Sequence, residues 1–389
     1  MDGTKPLVAP QASPDPHQSA RLRRFGEIDW DFPAQASESA FSALHWHPCR
    51  FPSQIPALAI GRFTRPGECI LDPFMGSATT LVEAQRLGRK SVGIDINPVA
   101  CLLAEAKTLP LSARDIRSII NRLKLLVCSR WDEIPLEPPP TTVQADKWYM
   151  PETLLALCKI WTLIGQQDET SALVGRACFS AILLAACRED RHWGYVCDNT
   201  APKSLREPDG RALFVTSLDR MSSAYNGRDI SELIIPSAKI IHGDAQTVLA
   251  EMPPDQFDGV VTSPPYFGVA DYVKSQRLSM EWLSEKIEPF RLREIGARSK
   301  RHRSSALTAY LEELKTTFFE VHRVMKDSAT ALIVFGQSPK RQDVQPMFID
   351  HLLGIGFSLE LCKVRQIAVG RRQKPSIVTE TVLVLRKTP

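Results

Sequence analysis

Residues 68–96 read ECILDPFMGSATTLVEAQRLGRKSVGIDI, and this stretch decides the fold. Glu68–Phe74 is a short apolar run, bounded by Pro66-Gly67 and closed by Pro73, which is the pattern of a buried strand. Ser77–Gly88 carries apolar positions at helical spacing and closes on a glycine, as helix carboxyl ends commonly do. Lys90–Ile96 is a second buried strand with an acid, Asp95, at its end. Asn97–Leu109 is a second helix, with Asn97 as its cap and Pro98 in the first turn. Strand, helix, strand, helix in direct succession predicts parallel pairing and an α/β, doubly wound sheet.

The alternation pauses after this. Residues 112–237 are helical in pattern, broken by the proline run PLEPPPTT (Pro135–Thr142). Strand signals resume at Ala238–Ala245 (AKIIHGDA) and Phe257–Tyr266 (FDGVVTSPPY). A helix over Leu307–Met325, a strand over Ala329–Gly336 and a helix over Val344–Gly356 follow. Two closing strands, from Phe357 and from Glu380, read as an antiparallel pair at the sheet edge. The expectation is a seven-stranded, mostly parallel sheet with a helical insertion. The chain divides into a disordered lead-in (1–38), a first half of the sheet domain (39–110), the insertion (111–237) and a second half (238–389).

The bulk numbers bound the function. The 389 residues are 43% hydrophobic and 24% charged, with a net charge of +4, which permits a polyanionic partner without announcing one. Nine cysteines with no CxxC pair predict free thiols in a reducing compartment. His45 and His47 beside Cys49 lack a second ligand cluster, so no metal is predicted. No apolar run approaches the roughly 20 residues needed to cross a bilayer, and the first residues lack the apolar core of a secretory signal. A cytoplasmic protein is expected. Trp148, Tyr149, Trp161 and the phenylalanines of TTFFEV are expected in the core.

Two loops carry chemistry. In LDPFMGSATT, Gly76 lets the backbone approach a ligand just before a helix begins. Asp95, at the next strand end, suits the two hydroxyls of a ribose. The GxGxxG fingerprint of a dinucleotide site is missing, and Asp72 would repel a pyrophosphate. A ligand with an ammonium group, a ribose and no phosphate fits better, and S-adenosylmethionine has that profile. The second loop is VVTSPPYFGVADYV, Val260–Val273. A buried strand stops abruptly on Ser263-Pro264-Pro265-Tyr266, because proline cannot continue a central strand. Such a turn fixes carbonyls rigidly, and the Ser263 hydroxyl adds a second acceptor for an exocyclic amine. Tyr266 is expected as an exposed face on which a planar base stacks.

DPFMGSATT, GIDINP, HGDA and TSPPY, in that order, resemble the amino-methyltransferases of DNA, which methylate N6 of adenine or N4 of cytosine with S-adenosylmethionine. The resemblance covers roughly residues 40–110 and 238–388, and it implies a Rossmann-like class I methyltransferase fold. It also implies roles. Asp72, Phe74, Gly76, Ser77 and Thr79 would line the methionine and sulfonium end; Asp95, with Asn97 beside it, would hold the ribose; Asp244 and Ala245 would flank the adenine. Phe51-Pro52 resembles the family's additional cofactor segment. Ser263, Pro264, Pro265 and Tyr266 would hold a flipped base, and a serine at the head of the turn favours N4 of cytosine. Ala78 stands where the family loop usually has a second glycine.

The resemblance further implies DNA as partner and, in a restriction–modification setting, a cognate endonuclease. Arg291, Arg293, Arg298, Lys300, Arg301 and Arg303 form a basic run after the turn, expected as a mobile loop gripping phosphates. The segments Gly370–Ser376 and Cys187–Tyr195 are further contact candidates. Other readings stay open: N6-adenine specificity, methylation of an exocyclic amine in RNA, glutamine methylation of protein, and a DNA-binding subunit without turnover.

Overall fold

A computed structural model describes residues 27–32, 40–45, 52–140, 144–189, 202, 206–227, 235–302, 304–336, 343–367, 377 and 379–388. Phe51, Arg303, most of the Cys187–Tyr195 segment and all of Gly370–Ser376 lie outside them. Seven strands form one sheet: β1 (Cys69–Asp72), β2 (Lys90–Asp95), β3 (Ala238–His242), β4 (Phe257–Thr262), β5 (Met325–Gly336), β6 (Phe357–Gln366) and β7 (Thr379–Lys387), in the order β3-β2-β1-β4-β5-β7-β6. β3 to β5 pair in parallel across β2, β1 and β4, while β7 runs antiparallel to both β5 and β6. The doubly wound sheet and its antiparallel edge pair are as the sequence predicts. Strand order reverses between β1 and β4, so their carboxyl ends open the crevice where ligands of such sheets sit.

The main helices are α1 (Gln54–Phe63), α2 (Thr79–Arg86), α3 (Pro98–Thr108), α4 (Ala113–Ser129), α5 (Pro151–Gly165), α6 (Glu169–Ile182), α7 (Gly210–Asn226), α8 (Ala245–Ala250), α9 (Ala306–Val324) and α10 (Gln345–Gly354). One sheet face packs Leu71, Val260 and Ile333 against Leu314 and Phe318 of α9 and Phe348 of α10. The other packs Ile70, Val261 and Val382 against Ile55 and Ile60 of α1. α3 to α7 share a third core that includes Leu103, Ile120, Leu157, Phe179 and Leu218. The central strands are therefore buried on both faces, which is why they read as unbroken apolar runs rather than as alternating patterns.

Several boundaries differ from expectation, each for a local reason. Within the expected lead-in, residues 27–32 are described, and there Trp30 is 1% exposed and joins the core beside α1. Its carbonyl accepts a hydrogen bond from Arg365 Nε at 2.8 Å. A buried indole offsets the entropy of ordering a short segment. Phe319, expected in the core, is 55% exposed while its neighbour Phe318 is fully buried, since successive helix residues cannot share one face.

Helix α2 begins at Thr79 rather than Ser77, because Gly76 (φ 45°) and Ala78 (φ 62°) both take positive φ. Ala78 is left-handed and fully buried, the conformation glycine adopts without cost. Ala78→Gly is expected to change stability by no more than about 1 kcal/mol, since relief of φ offsets a lost methyl. Ala78→Val should cost roughly 2 kcal/mol or more, because a branched side chain meets both strain and crowding. Urea unfolding of the two variants checks this; equal stabilities would contradict it.

Candidate active site

A cleft with about 940 Å³ of empty space, its open mouth included, lies at the carboxyl ends of β1 to β4. Each strand contributes the loop that follows it: Phe74, Gly76, Ser77 and Thr79 from β1; Asp95 and Asn97 from β2; Asp244 and Ala245 from β3; Ser263, Pro264 and Pro265 from β4. Tyr272, Val273, Arg293, Glu294 and Ile295 complete the wall. The glycine loop and the Ser-Pro-Pro turn, separated by almost two hundred residues of chain, thus share one cavity.

The β1 and β2 loops are locked together. Gly76 N donates to Asp95 Oδ2 at 2.9 Å and Asn97 N donates to Asp95 Oδ1 at 2.8 Å. Asn97 Oδ1 accepts from Val99 N at 3.0 Å and so caps α3. Each oxygen of Asp95 keeps a further lone pair for a ligand hydroxyl. Desolvation pushes the Asp95 carboxyl up to about 6, against the hydrogen bonds that lower it. Asp244 Oδ1 accepts from Gln246 N at 3.0 Å at the start of α8, and Arg293 Nε lies 3.8 Å from its other oxygen.

Three expected residues stand elsewhere. Asp72 is 1% exposed and lies behind the cleft wall, where Oδ1 accepts from Thr262 Oγ1 at 2.7 Å and from Phe74 N at 3.2 Å. Burial pushes its carboxyl up to about 6. The side chain joins two strand ends rather than lining the cleft. Pro52 precedes α1, its carbonyl accepting from Ile55 N at 3.1 Å, and is not among the residues that line the cleft. Tyr266 is a larger correction. It is 1% exposed, so its ring is not the open stacking face expected.

The Tyr266 hydroxyl accepts from Ser263 Oγ and donates to Glu380 Oε1, both at 2.9 Å. Its ring crosses Gly336 at the end of β5, where an added Cβ would lie 2.2 Å from Cε2. Tyrosine, being amphipathic, buries its ring once its hydroxyl has a partner.

The basic run is also more ordered than a mobile loop. Residues Ile287–Arg293 form a short helix and Arg298–Lys300 one 3-10 turn. Arg291 pairs with Glu288 at 2.9 Å, Lys300 Nζ donates to the carbonyls of Leu292 and Glu294 at 2.8 Å each, and Arg301 reaches the Arg298 carbonyl at 2.7 Å. Arg293 reaches the cleft wall and Arg298 is exposed. The lone acid of the run, Glu294, is 4% exposed and accepts from Tyr272 N at 2.5 Å. Burial pushes its carboxyl up to about 8. A charge run reads as solvated, which hides a buried acid such as Glu294; the Ile295-Gly296 pair that follows it is the available signal.

Sheet order, helices on both faces and a ligand cleft at the switch point define a Rossmann-like α/β protein of the class I methyltransferase type. Residues 10–106 match the family model described as DNA methylase, of the N6/N4 class. The chain is 35% identical over 99 residues to the Type II methyltransferase M.MjaII of Methanocaldococcus jannaschii, covering 24% of this chain and 19% of that protein. It is 28% identical over 240 residues to the Type II methyltransferase M.MvaI of Kocuria varians, covering 56% of this chain and 51% of that protein. The chain therefore spans at most about half the length of these relatives. Among solved structures, TrmN from Thermus thermophilus aligns with a TM-score of 0.34 at 12% identity, over 86% of this chain and 48% of that one; at that score the likeness adds nothing to the topology above. By its family match and these relatives, the chain is related to the DNA amino-methyltransferases of the N4/N6 family.

Two outcomes follow from the site. Gly336→Ala should destabilise the protein by about 1–3 kcal/mol, because Tyr266 must give way; a melting temperature equal to wild type would contradict that packing. The raised carboxyl of Glu294 binds its proton more tightly in the folded than in the unfolded chain. Its contribution to stability is complete below its ordinary value of 4.5 and is lost as pH rises through about 8. Glu294→Gln should flatten the fall in melting temperature between about pH 5 and 8, and an unchanged slope would refute the burial argument.

Proposed function

We propose that this chain transfers the methyl group of S-adenosylmethionine to the exocyclic N4 amine of cytosine in DNA. The observation that carries the reading is the shared cleft, in which the Ser263-Pro264-Pro265 wall faces the glycine loop and Asp95. The family model described as DNA methylase supports DNA as substrate, and the relatives' names, Type II methyltransferases, fit a restriction–modification role, for which a cognate endonuclease is part of the proposal. Ser263 at the head of the turn supports cytosine over adenine, by the resemblance of SPPY to that subgroup. No described helix is long and apolar enough to cross a membrane, and a cytoplasmic setting suits the reaction.

The residues present fit the cofactor. Asp95 offers lone pairs to a ribose, and the Gly76 N–H is committed to Asp95 rather than available to a phosphate. Phe74, Ser77 and Thr79 would enclose the amino-acid end, with Asp244 and Ala245 beside the adenine. When bound, S-adenosylmethionine supplies an electrophilic methyl group on a sulfonium. The chain's part is positional: Ser263 and the Pro264 carbonyl accept from the target amine and aim its lone pair at the donor side of the cleft. As the new C–N bond forms, these acceptors stabilise the positive charge growing on nitrogen. The amine then releases a proton to solvent.

The buried state of Tyr266 moves base stacking to other groups, and Tyr272 and Ile295 supply apolar surface in the same cleft. Arg293, which lines the cleft, and the exposed Arg298 are the candidates of the basic run for meeting phosphates, and the helical insertion is the candidate for reading sequence. An N6-adenine target uses the same acceptors and is the second reading.

Mass spectrometry of nucleosides from DNA incubated with the protein and isotope-labelled cofactor is expected to reveal labelled N4-methylcytosine. Label in N6-methyladenine would move the specificity, and label confined to RNA would overturn the substrate. Ser263→Ala should lower the rate on the order of tenfold, the effect of one lost hydrogen bond, with affinity for S-adenosylhomocysteine retained. That affinity should itself fall as pH drops through about 6, where Asp95 takes up its proton; calorimetry between pH 5 and 8 checks the trend.

A further inference from the structure

Ser263 carries a hydroxyl, which can donate or accept. Which of the two it presents to the cleft is settled behind the wall. Glu380, at the start of β7, is 5% exposed and Arg365, on β6, is 2% exposed. The Arg365 guanidinium pairs with Glu380 Oε2 and is anchored by the carbonyls of Trp30 at 2.8 Å and Asp31 at 3.3 Å. A carboxylate facing a guanidinium accepts and does not donate. The hydroxyl proton of Tyr266 is therefore committed to Glu380 Oε1 at 2.9 Å. Its oxygen can meet Ser263 Oγ, 2.9 Å away, only as an acceptor. The proton of Ser263 points inward as a result, and its lone pairs are left for the cleft. The neighbouring Pro265 carbonyl accepts from Tyr310 Oη at 2.9 Å, and the acceptor role of the turn is assigned to Ser263 and the Pro264 carbonyl.

We propose that Arg365 and Glu380, acting through Tyr266, are positioning residues that fix Ser263 as a hydrogen-bond acceptor, so that the cleft takes a base edge bearing an amino group and rejects one bearing a carbonyl at the same place. This rests on reading the cleft as a site for an exocyclic amine and adds the element that discriminates amine from carbonyl. Discrimination of this kind is strong because the wrong edge faces lone pair with lone pair and leaves both unpaired. It also accounts for the buried Tyr266, whose value to the site lies in its hydroxyl rather than its ring.

The test is nucleoside binding by the full chain saturated with S-adenosylhomocysteine, read by saturation-transfer NMR. Deoxycytidine is compared with deoxyuridine, and deoxyadenosine with deoxyinosine to cover the N6 reading. Wild type should favour the amino member of a pair on the order of tenfold. Tyr266→Phe leaves the Arg365–Glu380 pair intact and frees Ser263 to donate; it should reduce that preference to within about twofold. Glu380→Gln should do the same, and if it unfolds for want of a partner for Arg365, Tyr266→Phe carries the test alone. A wild-type protein without amine preference, or a preference surviving Tyr266→Phe, overturns the proposal. Methyl transfer to DNA is assayed alongside: an intact preference without methyl transfer would overturn the proposed reaction while leaving the relay standing.

Discussion

The hydrogen bond from Thr262 Oγ1 to Asp72 Oδ1, 2.7 Å long and buried, sets the geometry on which the site depends. Asp72 is the last residue of β1 and Thr262 the last of β4, so this one contact aligns the points where the two strands release their loops. Thr80 Oγ1 adds a bond to the Val261 carbonyl at 3.2 Å, tying the first turn of α2 to the same strand end. An uncompensated carboxylate in this position would be costly, and burial does raise its proton affinity; two hydrogen-bond donors, Thr262 Oγ1 and Phe74 N, make the position tolerable. Because the two strand ends are level, the glycine loop and the Ser-Pro-Pro turn face each other across one cleft.

The wall opposite these loops is tied into the insertion. Tyr272 and Val273 border the cleft, and the next turn of helix, Arg277–Trp282, reaches into the core shared by α3 to α7. Trp282 meets Phe179 of α6 at 4.9 Å and Trp161 of α5 at 5.7 Å between ring centroids, both edge-on. The segment after the Ser-Pro-Pro turn is thus held at one end by the sheet and at the other by the insertion. A change in how the insertion sits would be felt at Tyr272 and, through its backbone N–H, at Glu294. That linkage gives the helical insertion a physical route to the cleft, whatever it contacts outside.

Much of the fold was legible because buried parallel strands are short apolar bursts with abrupt chemical endings: Asp72-Pro73, Asp95-Ile96, Gly243-Asp244 and Ser263-Pro264. The site was legible for the same reason, since loops that close such strands converge in space. Side-chain direction was not legible. Asp72 and Phe74 stand two apart on one motif, yet one faces the neighbouring strand and the other the cleft. Tyr266 looked exposed because an aromatic after two prolines has no obvious core to enter; the core it enters is made by Gly336, and its hydroxyl partner Glu380 lies over a hundred residues away. Glu294 was hidden by the six basic residues around it, whose charge suggested a solvated loop.

The central claim is that donor loop and amine-binding turn share one cavity, and hydrogen–deuterium exchange in the presence of S-adenosylhomocysteine tests it most directly. Ligand binding should slow exchange at residues 74–79, 95–97 and 243–245, and equally at 272–273 and 293–295 on the facing wall. Protection confined to the first three segments, with the facing wall unaffected, would mean that the wall following the Ser-Pro-Pro turn does not close on the same ligand as the glycine loop, and the account would be wrong.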